Sequence, residues 1–187
     1  MRKLLLALGG NLSGPWGTPE TTLARACDEL SRTGLRIAQS SKVYATPPLG
    51  PGRQAPYLNA VLLVHAQVAP AALLRLLKRI ERRGGRRLGL HWGPRCLDID
   101  ILDLSGRRLG WPARQRRERG RLVLPHPEMH RRAFVLVPLL EVCPSWWHPV
   151  LRLAGRTLLL RLGRRSRLGI RQTLDSAGVT CENTYNK

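Results

Sequence analysis

An α+β domain with a β-α-β-β-α-β order is the fold class this sequence predicts, on three observations. Two segments with helical spacing, near 19–33 and 70–83, alternate with runs rich in Leu, Val and Ile at 3–8, 35–46, 57–68 and 97–102. Clusters of Gly and Pro punctuate these runs at 9–17, 47–52 and 84–85. The length of 187 residues and the 43% hydrophobic content suit one domain whose core needs no disulfide or metal staple. The order is the ferredoxin-like plan, an antiparallel sheet with additional helices.

Each element has its own signal. Leu4-Leu5-Leu6-Ala7-Leu8 reads as a buried strand. It runs into Gly9-Gly10-Asn11 with no cleavage region, so it is not read as a signal peptide. Thr18-Pro19-Glu20 opens the first helix: Thr18 can cap, Pro19 suits the first helical position, and Glu20 suits the positive helix end. Leu23, Ala26, Cys27 and Leu30 recur at helical spacing, and Gly34 stops the run. Strands are expected at 35–46 and 57–68. Pro70 starts a second helix through Leu73, Leu74, Leu77 and Ile80, ended by Gly84-Gly85. Residues 97–102 alternate strictly, and a further helix is expected from about His130 to Val142, kinked at Pro138.

Charge narrows the function classes. Lys+Arg is 32 against Asp+Glu 12, a formal net charge of +20, and the sequence pI is about 11.6. Such a chain suits an anionic partner: nucleic acid, an acidic membrane surface or a polyphosphate substrate. Arginine supplies 28 of the 32 basic residues, and its fork binds phosphate in two-point contacts. Residues 107–121 hold seven arginines and one acid, and residues 152–171 hold seven arginines and none. Cys27, Cys96, Cys143 and Cys181 form neither a zinc pattern nor a dense disulfide framework, which fits a cytoplasmic protein. No apolar run approaches the roughly 20 residues that span a bilayer.

Asp98 and Asp100 are the sharpest chemical signal. On a strand, residues i and i+2 share a face, so Leu97, Ile99 and Ile101 would face the core and both carboxylates a cleft. Two such carboxylates repel unless a cation lies between them, and hard oxygen donors on a rigid strand suit Mg²⁺. A bare D-x-D also suits a solvated strand face. The flanks His91-Trp92-Gly93-Pro94-Arg95 and Arg86-Arg87 favour a nucleotide site instead. Lys78, Glu81 and Arg82 share one flank of the second helix, which alone reads as a solvated face. Pro125-His126-Pro127 is a fixed turn presenting a histidine. Pro127 stands where a zinc protease would need Glu, and no P-loop motif is present.

Assembled, these segments resemble the 6-hydroxymethyl-7,8-dihydropterin pyrophosphokinase family. The matching stretches are Leu8-Gly9-Gly10-Asn11-Leu12; Ser41 and Tyr44 through Thr46-Pro47-Pro48-Leu49-Gly50 to Tyr57-Leu58-Asn59-Ala60; Ile80-Glu81 with Gly85-Arg86; Trp92-Gly93-Pro94-Arg95 through Leu97-Asp98-Ile99-Asp100-Ile101; and Leu124-Pro125-His126-Pro127 through Arg132, Phe134 and Pro138. They cover about residues 3–150 in family order.

The resemblance implies a ferredoxin-like fold and a Mg-dependent enzyme. It would move pyrophosphate from ATP to the hydroxymethyl group of the pterin and release AMP, in folate biosynthesis. By position, Asp98 and Asp100 would hold two Mg²⁺ ions, with Arg86 and Arg95 beside them as catalytic groups. Thr46, Pro47, Leu49, Tyr57, Asn59 and Phe134 would form the pterin pocket, the ring stacked between Tyr57 and Phe134. Lys78, Glu81, Arg86, Trp92, Arg95, Ile101, His126 and Arg132 would surround ATP.

Gly10 replaces the family's usual Ser, Lys78 a frequent Gln and His91 a common Arg. The loop from Gly85 to Trp92 is one residue short, which leaves open whether Arg86 or Arg87 supplies the second basic group. Residues 1–150 are expected to form the enzyme domain, and 151–187 a basic extension, partly helical or disordered, outside the site. A monomer is expected, with no obligatory nucleic acid and no membrane partner. The alternatives are a basic ferredoxin-like nucleic-acid-binding module, which would need aromatic residues on its sheet strands, and an inactive family member.

Overall fold

The computed structural model describes residues 1–48, 53–87, 93–111 and 122–173. The chain runs β1 (Arg2–Gly10), α1 (Pro19–Arg32), β2 (Arg36–Ser40), β3 (Tyr44–Thr46), β4 (Tyr57–Ala66), α2 (Pro70–Arg83), β5 (Asp98–Leu104), α3 (Ala133–Val142), β6 (Trp147–His148), β7 (Leu153–Ala154), α4 (Gly155–Arg161) and β8 (Arg171–Gln172). Among the described residues no helix is long and apolar enough to cross a membrane.

The main sheet has the order β5-β1-β4-β3-β8, with β2 also on β4, and every pairing is antiparallel. With β2 and β3 counted as one broken strand, this is the ferredoxin-like sheet. β1 lies between β4 and β5 and is covered on both faces, which accounts for its unbroken apolar run. Leu4, Leu6 and Leu8 join Leu23, Leu30, Leu73 and Leu77 in one core layer. Leu5 and Ala7 face the second layer with Val61, Leu136, Leu139 and Leu158.

The expected helix starts hold. The Thr18 side chain accepts from the Thr21 N–H, Pro19 stands in the first turn, and Gly34 follows the helix at φ +81°. The single strand expected at 35–46 is broken at Ser41. There the Ser41 hydroxyl accepts from the Val61 N–H (2.9 Å), while the Ser41 N–H reaches the Val61 carbonyl (2.9 Å). A side chain therefore takes one rung of the ladder, and β3 restarts at Tyr44.

The helix expected from His130 starts instead at Ala133. Met129–Arg131 is a single 3-10 turn, and Arg132 is extended at φ −117°, ψ 103°. That extended residue breaks the helical run and separates the two segments. α3 then passes through Pro138 to Val142.

The boundary expected at residue 150 falls in the turn of the β6–β7 hairpin. Beyond it, Leu158 is buried in the second core layer, and β8 pairs with β3 at Tyr44↔Gln172 and Ala45↔Arg171. Local sequence could not show this, because two short strands whose paired residues, Tyr44↔Gln172 and Ala45↔Arg171, are far apart in the chain have no common periodic signal.

A buried histidine in this layer gives a stability prediction. His148 is fully buried, and its Nδ1 accepts from the Val150 and Leu151 N–H groups at 3.2 and 3.1 Å. Burial, with His130 nearby, holds its pKa down to about 4. Below about pH 6.5 the unfolded chain takes a proton that the native state refuses, so stability falls with acidification until about pH 4. The loss from this group is at most about 3 kcal/mol. His148→Asn, whose Oδ1 can accept from the same N–H groups, should flatten the melting temperature between pH 7 and 5. An unchanged slope would place the titration elsewhere.

Candidate active site

The ends of β1, β4 and β5 and the start of α3 open onto one cavity of about 260 Å³. Tyr57, Asn59, Thr46, Pro47 and Phe134 line it together with Arg86, Arg95, Asp98, Asp100, His126 and Arg132. Residues from six separate segments therefore meet at one end of the sheet.

The carboxylate pair lies as the strand alternation predicts. Leu97, Ile99 and Ile101 are buried in the first core layer, while Asp98 and Asp100 are 21% and 36% exposed. Two guanidiniums hold Asp98. Arg86 bonds Asp98 Oδ1, and Arg95 bonds Asp98 Oδ2 at 2.5 Å. Burial opposes the Asp98 charge, but Arg86, Arg95 and Lys78 outweigh it and hold the carboxyl below its usual range.

Glu81 fixes Arg86 from behind. Its side chain is 1% exposed, and its Oε1 accepts from Lys78 Nζ (2.8 Å), Arg86 (2.6 Å) and the Ile99 N–H (2.8 Å). Burial raises the Glu81 pKa, and Lys78 and Arg86 only partly offset that rise. The solvated-face reading of this helix flank thus fails for Glu81, because β5 packs over it. Lys78 and Glu81 do not line the cavity, nor does Ile101, which lies in the core. Arg86 is the loop arginine in the site, whereas Arg87 is exposed. Leu49, His91 and Trp92 lie outside the described residues.

The opposite groups are pre-set as well. Asn59 Nδ2 donates to Thr46 Oγ1 (2.9 Å) and to the Tyr57 carbonyl (3.3 Å). Its donors are thereby engaged, leaving Oδ1 as the acceptor. A Cβ on Gly9 would stand 3.2 Å from that oxygen, so glycine keeps the space open. The Tyr57 hydroxyl donates to the Gly93 carbonyl at 2.7 Å. The Arg132 guanidinium lies 5.8 Å from the Phe134 ring centre. His126 Nδ1 accepts from the Glu128 N–H (3.2 Å), so its neutral form carries the proton on Nε2, which is 3.9 Å from Asp100 Oδ2.

The descriptive pattern of the 7,8-dihydro-6-hydroxymethylpterin-pyrophosphokinase (HPPK) family matches residues 5–144. The chain belongs to the HPPK family. It is 36% identical to the 2-amino-4-hydroxy-6-hydroxymethyldihydropteridine pyrophosphokinase of Methylorubrum extorquens, over 91% of this chain and 98% of that protein. It is 40% identical to the Haemophilus influenzae protein of the same name, over 73% of this chain and 79% of that one. Among solved structures it resembles the HPPK-DHPS protein of Plasmodium falciparum, with a TM-score of 0.65 and 15% identity. That match covers 92% of this chain and 47% of the larger one, so the chain spans just under half its length, and the likeness concerns the fold.

This HPPK-family chain shows one positioning group to which the sequence assigned no role. Asn11 is buried: its Oδ1 accepts from the Arg95 N–H (2.9 Å), its Nδ2 donates to the Ala55 carbonyl (3.1 Å), and its N–H donates to the Arg95 carbonyl (2.8 Å). It ties the end of β1 to the segments carrying Arg95 and Tyr57. Gly10 permits that approach, because a Cβ there would collide with the Cys96 carbonyl oxygen. The only sequence signal was the Gly9-Gly10-Asn11 turn itself.

β3 is held in place from α3. Glu141 accepts from the Tyr44 hydroxyl (2.9 Å) and the Lys42 N–H (3.2 Å). Burial and the Glu141 carboxylate push the Tyr44 pKa up to about 12.

Proposed function

We propose that the chain transfers the pyrophosphoryl group of ATP to the hydroxymethyl oxygen of 6-hydroxymethyl-7,8-dihydropterin and releases AMP, a step of folate biosynthesis. One observation carries this reading: a single cavity joins two aromatic rings and an oriented amide to three arginines and a carboxylate pair. The rings suit a flat heterocycle, Asn59 Oδ1 suits its N–H edge, and the arginines suit a polyphosphate.

Asp98 and Asp100 offer hard oxygen donors from one open strand face, a fit for Mg²⁺, and we assign two such ions to this pair together with ATP. When bound, the metal supplies charge neutralisation on the phosphate oxygens. The protein's own groups position the reactants. Arg86 and Arg95 face the anionic chain, Arg132 and His126 add donors, and Glu81 prevents Arg86 from swinging away. In-line attack of the pterin hydroxyl then depends on alignment and charge, as in other phosphoryl transfers. No side chain in the cavity is required as a general base. Cys27, Cys96 and Cys143 form no disulfide among the described residues, in keeping with a reducing cytoplasm. We read the enzyme as a monomer that needs no nucleic acid or membrane.

The direct test is AMP release with ATP, Mg²⁺ and the pterin. AMP should form only when all three are present, and its absence would favour the inactive-member alternative. The pocket has its own test. Phe134→Ala or Tyr57→Ala should weaken pterin binding at least several-fold with ATP affinity little changed, since stacking contributes about 0.5–1.5 kcal/mol beyond burial. Tyr57→Phe keeps the ring and loses only the bond to Gly93, so it should lose less. Equal loss of both ligands would undo the assignment.

A further inference from the structure

We propose that Gly169 is a positioning residue for the pterin pocket, acting through Pro47; this rests on the pyrophosphokinase reading above. The segment after α4 returns to the main sheet. β8 adds to the open edge of β3, and the Thr173 N–H donates to the Val43 carbonyl at 3.0 Å. β3 is thereby clamped between β4 and β8. It carries Thr46, the partner of Asn59, and leads directly into Pro47, which lines the cavity.

Gly169 supports Pro47 from outside the cavity lining. It has φ +88°, and a Cβ there would stand 2.9 Å from Pro47 Cγ and 3.2 Å from Cδ. A proline ring has no free side-chain rotor and fixes its own φ. It cannot turn aside as a long side chain would. The displacement must therefore pass to the Thr46–Pro47 backbone and the pocket.

The positive φ alone would also select glycine, so a matched control separates the two explanations. Gly163 has φ +73°, and a Cβ there meets nothing within 4 Å. Alanine at either site incurs a similar backbone penalty, but only at 169 does it press on the pocket.

The experiment uses the full chain and compares the wild type, Gly169→Ala and Gly163→Ala. Melting temperature is measured with affinity for a non-hydrolysable ATP analogue and for the pterin in the presence of that analogue. Both variants should melt below the wild type, Gly169→Ala by at least as much as Gly163→Ala. Gly169→Ala should weaken pterin binding about fivefold or more while affinity for the ATP analogue stays within about twofold. Gly163→Ala should leave both affinities unchanged. In a Pro47→Ala background, where the ring atoms are gone, Gly169→Ala should add less than about twofold. If Gly169→Ala does not fold, Gly169→Asn carries the same Cβ and tolerates positive φ better. Equal pterin affinity in the 163 and 169 variants, or a loss that persists without the Pro47 ring, overturns the proposal. A wild type that binds no pterin overturns the functional reading instead.

Discussion

Alanine in place of Asp98 or Asp100 is expected to cut pyrophosphoryl transfer about a thousandfold, the equivalent of roughly 4 kcal/mol of transition-state stabilisation. Both carboxylates project from one face of β5 into the cavity, beside the arginines that would meet the phosphates. The pterin should still bind, because Tyr57, Asn59 and Phe134 stand on β4 and α3. Raising Mg²⁺ should rescue little, since the ligand itself is missing. The two variants should differ in stability. Like-charge repulsion alone would make either substitution neutral or favourable. In the structure, however, Asp98 is the shared partner of Arg86 and Arg95, whereas among the described residues the ion pair of Asp100 is with His126 at 3.9 Å. Asp98→Ala leaves two close guanidiniums with less compensation and should lower the melting temperature, while Asp100→Ala should not. Steady-state kinetics, pterin titration and thermal melts on both variants test this together. Near-normal turnover in either would return that carboxylate to an ordinary strand face.

Glu81→Ala should be the most destabilising single change at the site. It removes one oxygen that serves Lys78, Arg86 and the Ile99 N–H, and it leaves a buried backbone donor without its acceptor. Breaking a buried charge pair from one side costs about 3–5 kcal/mol. At about 2–4 °C per kcal/mol for a chain of this size, the melting temperature should fall by about 10 °C. Glu81→Gln retains a carbonyl oxygen for Ile99 and should lose less. Turnover should fall in both variants even where they are fully folded, because Arg86 loses the anchor that faces it toward Asp98. A Glu81→Ala protein that melts within about 2 °C of wild type would show that the three donors find other partners.

Much of the fold was legible because its signals are local. Thr18, Pro19 and Gly34 mark α1 through capping and backbone geometry, which act within one turn. The alternation of Leu97, Ile99 and Ile101 against Asp98 and Asp100 reports which strand face is covered, whatever covers it. The pocket residues Tyr57, Asn59 and Phe134 and the loop residues Arg86 and Arg95 came from family-like motifs, and the structure brings them to one cavity.

What stayed hidden depends on partners distant in sequence. Asp103 was not singled out, because a shift in register within the β1–β5 pairing brings it to the Trp146 Nε1–H, 3.1 Å away. Glu81 on its helix flank has the spacing of a solvated face, and only the packing of β5 makes it a buried anchor. The arginine-rich stretch 152–171 has the composition of a loose tail. Yet Leu158 enters the core and Arg171 pairs with Ala45. Periodicity records whether a position is covered but carries no address for the covering group. The sequence by itself therefore determined the strand and helix order and the facing of the carboxylate pair. The tertiary structure alone decided which arginines neutralise Asp98, which carboxylate holds Arg86, and that the last strand closes the sheet beside Pro47, because each of these is a contact between segments that no local pattern encodes.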